Sequence, residues 1–181
     1  MLGGNKLPFM VWSAGQREFV PLLLGLYWLM PPTKVARRGH IEWVVVEELE
    51  MGLHPRAITV VLLMMLELVA RGYRVCISTH SPLVLEAVWA IQRLKESHAD
   101  GKALLKVFQA ETSQSLQKMA DTVLSKDFKV FNFDRVTGET TDISGLDPAN
   151  ENSVEAGWGG LAEFSAAANA AVAEAAANGE K

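Results

Sequence analysis

The apolar run Ile41-Glu42-Trp43-Val44-Val45-Val46 ends abruptly in two adjacent carboxylates, Glu47 and Glu48, and this junction constrains the fold more than any other stretch. A turn, Leu49-Glu50-Met51-Gly52-Leu53-His54-Pro55, follows and leads into a long apolar helix. Three consecutive valines predict a strand buried on both faces, as strands of parallel sheets are. Ligand sites of open α/β sheets lie at the carboxyl ends of strands, and Glu47 and Glu48 stand at such an end. Side chains alternate across a strand, so the two acids point in different directions and can do different jobs. Acid pairs of this kind suit metal-assisted phosphate chemistry, in which one positions Mg²⁺ and the other activates water. A strand that simply reaches solvent would read the same way.

A second unit repeats the arrangement. Pro55 stands at the first position of a helix over Arg56–Ala70 that is apolar nearly throughout, and Gly72 occupies the expected C-terminal cap place. Such a helix must bury most of its surface, as one layered on a sheet does. Arg74–Ser78 reads as another short buried strand of parallel type, closing in Ser78-Thr79-His80-Ser81-Pro82. Ser81 caps, and Pro82 opens, a helix reaching about Ser97. His80 thus shares the position class of Glu47 and Glu48, since sequential parallel strands usually neighbour each other. Its imidazole is either structural or a phosphate contact. The fold class expected is α/β, a mostly parallel sheet flanked by helices.

Upstream, Ser13 and Gln16 have the spacing of a capping box opening a helix to about Met30. Pro21 falls in its second turn, and Pro31-Pro32 stops it. A glycine beside a capped helix start leaves backbone N–H groups open to an anion. Thr33–His40, with Lys34, Arg37 and Arg38, reads as a solvated basic connection. Downstream, Lys106–Gln109 reads as a strand and Ser113–Leu124 as an amphipathic helix. Lys129–Asp134 and Glu139–Ile143 flank Val136-Thr137-Gly138 and predict a hairpin at the sheet's edge, with Asp134 either a ligand or, as a hairpin carboxylate beside Arg135, solvated. Asp147–Gly160 reads as loop, and Leu161–Asn178 as an alanine-rich helical tail with little to bury. The domain division expected is 1–145 for the main body and 146–181 for loop and tail.

At 181 residues, 49% apolar and 21% charged, the chain is ordinary for a soluble globular domain. The net charge of −4 argues against strong nonspecific binding to nucleic acid or acidic membrane. The lone Cys76 excludes a disulfide framework and points to a reducing, cytoplasmic location. The apolar runs Phe19–Met30 and Ile58–Met65 fall short of the about 20 residues that span a bilayer.

Three motifs then carry a resemblance. Ser13-Ala14-Gly15-Gln16, Val44-Val45-Val46-Glu47-Glu48-Leu49-Glu50-Met51-Gly52-Leu53-His54-Pro55 and Ser78-Thr79-His80-Ser81-Pro82 occur in that order. They resemble the signature motif, the Walker B strand with its D-loop, and the switch histidine of ABC-type ATPase heads. The subgroup they look most like is the AAA-type predicted ATPases related to the overcoming-lysogenization-defect proteins. The resemblance covers most of Trp12–Ile143.

The resemblance implies a P-loop NTPase fold with ATP and Mg²⁺ as ligands. Glu47 would hold Mg²⁺ through water, Glu48 would be the general base, and His80 would sense the γ-phosphate. Ser13, Ala14, Gly15 and Gln16 would face the γ-phosphate of ATP on a partner subunit. Gly52, Leu53 and His54 would form the dimer-facing loop. No Gly-x-x-x-x-Gly-Lys-Ser/Thr occurs in the chain, although that loop cradles the phosphates. Met1-Leu2-Gly3-Gly4-Asn5-Lys6-Leu7 lacks both its spacing and a preceding strand. The chain therefore looks like the C-terminal portion of such a head, with the P-loop supplied elsewhere, by a homodimeric or P-loop-bearing partner. Leu49 also replaces a proline common after the Walker B acids. Nucleic acid would enter only through a larger complex, and no membrane partner is expected. The alternatives are a non-catalytic, truncated head that serves as a dimerisation or interaction module and, more weakly, a metal-dependent hydrolase using Glu47, Glu48 and His80.

Overall fold

A computed structural model describes Pro8 and residues 11–31 and 37–179. The Gly3-Gly4-Asn5-Lys6 stretch and Lys34 lie outside these residues. Among them are seven helices and two small sheets, a mixed α/β arrangement. The chain divides into two compact units, one within Met1–Thr79 and Ala99–Ser125, the other within His80–His98 and Lys126–Lys181.

The first unit begins with α1 (Ala14–Leu29), opened by the capping box expected of Ser13 and Gln16. Gln16 N–H donates to Ser13 Oγ at 3.3 Å, and Ser13 N–H donates to Gln16 Oε1 at 3.0 Å. Strand β1 (Trp43–Glu47) pairs in parallel with β2 (Arg74–Ser78), with Trp43 opposite Arg74 and Glu47 opposite Ser78. Helix α2 (Pro55–Ala70) connects them and packs on β2. Its end is a Schellman motif: Gly72 N–H reaches Val69 O, and Tyr73 N–H reaches Leu68 O. Gly72 takes φ +91°, which a side chain would resist.

Tyr73, buried, ties this junction to α1. Its hydroxyl donates to Leu29 O at 3.0 Å and accepts from Arg38 N–H at 2.8 Å. The basic connection is accordingly not simply solvated. Arg37 donates to Gly72 O and Arg38 Nε to Trp28 O, with the Arg38 guanidinium 5.1 Å from the Trp28 ring centre. Guanidinium groups find helix-end carbonyls here because those lack intrahelical donors.

Three expectations about strands fail. β1 and β2 are not buried on both faces: exposure alternates along each, leaving Trp43, Val45, Glu47 and Arg74, Cys76, Ser78 on an open side. Trp43 is 57% and Val45 66% exposed. The Arg74 guanidinium lies 5.5 Å from the Trp43 ring centre and covers part of that face. The sheet also has two strands rather than the larger parallel sheet expected. Residues 106–109 are not a strand; they finish and follow α4 (Gly101–Val107). Asp100 caps that helix, its Oδ1 accepting from Lys102 and Ala103 N–H, and Leu104 and Leu105 are fully buried. The expected amphipathic helix forms as α5 (Gln114–Leu124) under the Ser113 cap. Asp121 of α5 accepts from Gly101 N–H at 2.6 Å, and α5 packs on α2 and α4.

The second unit holds α3 (Pro82–Glu96), a hairpin of β3 (Phe131–Phe133) and β4 (Thr140–Asp142), a single turn α6 (Ser153–Ala156), and α7 (Glu163–Gly179). The hairpin exists as expected but forms a sheet of its own. Asp134 makes its turn, Oδ1 accepting from Val136 and Thr137 N–H at 2.7 Å each. Leu85, Ile143 and Leu146 form the buried centre, with Val88, Val130 and Trp158 against it. Trp158 Nε1 donates to Leu146 O, and Gln92 and Arg93 of α3 donate to Ser144 O and Gly145 O. Along α7, Phe164 and Val172 are exposed, as a helix with little to bury requires. No helix among the described residues is long and apolar enough to cross a membrane.

Candidate functional site

β1 delivers Glu47 and Glu48 to the carboxyl end of the parallel pair. Glu47 is its last residue and points to the open side. Glu48 is half-buried and takes φ +47°, a left-handed conformation that costs a non-glycine residue about 1–2 kcal/mol. The conformation is held from both sides: Glu48 N–H donates to Ser78 O at 2.9 Å, and Glu48 O accepts from Met51 N–H at 2.9 Å. Strained residues at strand ends persist where surroundings over-determine them, and they cluster at functional sites.

The turn after Glu48 folds back on the start of α1. Gly52, at φ +67°, presents its carbonyl to Gly15 so closely that a β-carbon on Gly15 would collide with the oxygen and lie 2.9 Å from the carbonyl carbon. Two of the sequence-predicted groups, Ser13 to Gln16 and Gly52 to His54, are thereby brought together. Between α1 and the strand end lies a cleft of about 320 Å³ lined by Glu18, Phe19, Glu47, Glu48, Met51 and Leu53, among others. Leu53 thus faces the cleft. His54 caps α2, its Nδ1 accepting from Arg56 N–H at 3.3 Å, so a neutral ring carries its proton on Nε2. Ala14 is the first residue of α1.

His80 is exposed and opens the second unit, directly after Thr79 at the end of β2. Sequence reasoning missed Glu50 and Thr79. Thr79 Oγ1 donates to Glu50 Oε1 at 2.8 Å, tying the turn after β1 to the end of β2. Twenty-nine residues separate them. The signal was available only through the strand register, because pairing Glu47 with Ser78 places both just beyond the same sheet end. Glu18 was missed for a similar reason: nothing local marks which turn of α1 faces the strand.

Among the described residues, no three His, Cys, Asp or Glu side chains converge to hold a metal ion by themselves. The donor set fits Mg²⁺ in another way, because that ion keeps several waters and takes one or two carboxylates plus substrate phosphates. Glu47, exposed at the mouth of the cleft, is the carboxylate available for this.

Residues 2–86 match the family model described as an AAA domain, putative AbiEii toxin, Type IV toxin–antitoxin system. The match supports an AAA-type, ATPase-like domain. It takes in α1, β1, α2, β2 and the first turn of α3, and so every residue of the site described above. No curated protein and no solved structure matches the chain.

Proposed function

We propose that the chain contributes the hydrolytic residues of an ATPase site, with the loop that cradles the phosphates supplied from elsewhere. The observation that carries this reading is Glu48. A carboxylate fixed at φ +47° at the carboxyl end of a parallel strand, beside Glu47 and lining a cleft, is placed where a general base could reach a bound water. The match to an AAA domain supports a nucleotide as the ligand.

In this reading Glu48 accepts a proton from the attacking water, and the γ-phosphoryl group leaves ADP for that water's oxygen. Glu47 would hold Mg²⁺ through water, and the ion would supply positive charge against the charge that develops on the phosphates. His80 contacts the γ-phosphate, a role that rests on the resemblance. Ser13 uses its oxygen as an acceptor in the capping box and keeps its O–H hydrogen for donation to a phosphate. Together with the N–H groups at the start of α1, it forms an anion-binding helix end that serves ATP bound to a partner subunit. Gly52, Leu53 and His54 lie on the dimer-facing side in the same reading.

The test is Mg-ATP binding by calorimetry and ATP turnover, on the chain alone and mixed with a polypeptide carrying an AAA-type P-loop. Binding and turnover only in the mixture, with turnover lost in Glu48→Gln, is the expected result. Robust turnover by the pure chain that survives Glu48→Gln would sink the reading. The open side of β1 and β2, with Trp43 and Val45 exposed, favours a second reading as a non-catalytic interaction module. Absence of Mg-ATP binding in both samples would select it.

A further inference from the structure

The end of β2 grips the end of β1 at two consecutive residues. Ser78 does so through its backbone, its carbonyl accepting Glu48 N–H at 2.9 Å. Thr79 does so through its side chain, its hydroxyl donating to Glu50 Oε1 at 2.8 Å. Between the two anchored positions runs the bend that starts at Glu48, whose carbonyl accepts Met51 N–H; Glu50 O in turn accepts Leu53 N–H at 3.0 Å. A backbone amide anchor alone leaves the residues after it free to relax toward ordinary φ values. A second anchor two residues on prevents that relaxation, because the segment between is too short to absorb it.

We infer that Glu50 is a positioning residue: its hydrogen bond with Thr79 latches the turn after β1 and holds Glu48 in its left-handed conformation. Glu50 works as an acceptor and does not touch nucleotide. The consequence for turnover rests on the ATPase reading above; the latch itself does not.

The predicted behaviour follows from hydrogen-bond chemistry. Thr79→Val keeps the shape and removes the donor. Thr79→Ser keeps the donor, and Glu50→Gln keeps an acceptor oxygen. Hydrogen exchange on the full chain reads the latch. Thr79→Val is expected to speed exchange of the Glu48 and Met51 amides by about tenfold or more while leaving the Val123 amide in α5 unchanged, the mark of a local opening. Thr79→Ser and Glu50→Gln are expected to stay within about threefold of the wild type. Glu50→Leu, a second way to remove the bond, is expected to loosen the same two amides, and the double variant to fall short of the sum of the single effects.

In an assembly that hydrolyses ATP, Thr79→Val is expected to lower kcat about tenfold with KM within about twofold, because misplacing a group by a fraction of an ångström costs rate rather than binding. Unchanged exchange in Thr79→Val overturns the latch. Loosened exchange with unchanged kcat overturns the positioning role. A Glu50→Gln variant as impaired as Thr79→Val overturns it too, because the carboxylate charge would then be acting on the reaction. If no assembly turns over ATP, or Glu48→Gln turns over at the wild-type rate, the ATPase reading falls and exchange alone decides the latch.

Discussion

Gly15, in the first turn of α1, is packed against the carbonyl of Gly52 with no room for a β-carbon. The contact joins the capped helix start to the turn that follows Glu48, and both glycines are needed for it: Gly15 for close approach, Gly52 for φ +67°. Gly15→Ala is expected to destabilise the chain by about 1–3 kcal/mol, the usual cost of overpacking. Gly25, ten residues on in the same helix, has nothing within 4 Å of a built β-carbon. Gly25→Ala is therefore expected to stabilise by about 0.5–1 kcal/mol through helix propensity. Urea denaturation of the two variants checks the pair. Equal effects would mean that the Gly15–Gly52 approach does not constrain the fold.

Glu48 sets conformational cost against chemistry. Glu48→Gly relieves a left-handed strain of about 1–2 kcal/mol and adds about 0.5–1 kcal/mol of unfolded-state entropy. The folded chain should come out between unchanged and about 1.5 kcal/mol more stable. Glu48→Gln should be neutral to within about 0.5 kcal/mol. Both should abolish whatever ATP turnover the assembly has. Thermal denaturation beside a turnover assay separates these outcomes, and a Glu48→Gly variant markedly less stable than the wild type would contradict the strain.

Much of the site neighbourhood was legible because it is written in local chemistry. Ser13 with Gln16, Pro55 at a helix start, Gly72 at a helix end and Pro82 at a helix start each act over a few residues, and each appears where expected. Ser81 stands at the cap position of α3 without a side-chain cap hydrogen bond. What failed depends on partners far away in the chain. Three consecutive valines carry no alternation, so Val44 to Val46 cannot say which side of their strand is open. Leu104-Leu105 with Val107-Phe108 is equally a short strand or a buried helical turn by pattern. The Asp100 cap and the Asp121 bond to Gly101 decide for helix. Glu50 finds Thr79 only once β1 and β2 are in register.

The second unit offers a pH test. Asp134 is held below its ordinary value by hydrogen bonds from Thr137 and Val136 N–H, Asp142 by the Ser144 hydroxyl and N–H, and Asp127 by its bond to Lys95. A carboxyl with a lowered folded value favours the folded state above its ordinary value of 3.8, and that contribution is lost as pH falls through the folded value. The hairpin should therefore keep its order to about pH 4 and loosen below it, each group contributing little because all three are exposed. Amide shifts of Val136, Thr137 and Ser144 followed by NMR from pH 6 to 2 provide the measurement. Midpoints at or above the ordinary value would show that these bonds do not form.

The alternation along β1 makes opposite predictions for neighbouring valines. Val45 projects to the open side opposite Cys76, whereas Val46, opposite Ile77, is half-buried. Val45→Thr places a hydroxyl in water and is expected to change stability by no more than about 0.5 kcal/mol. Val46→Thr buries part of that hydroxyl and is expected to cost about 1–2 kcal/mol. Cys76 reports on the same side directly. Its thiol is exposed, so a disulfide reagent should label it in the folded chain at a rate within about tenfold of that in urea. If Val45→Thr is as damaging as Val46→Thr and Cys76 is protected at low protein concentration, the strand is buried on both faces. If protection appears only as concentration rises, the open side is being covered by another copy of the chain.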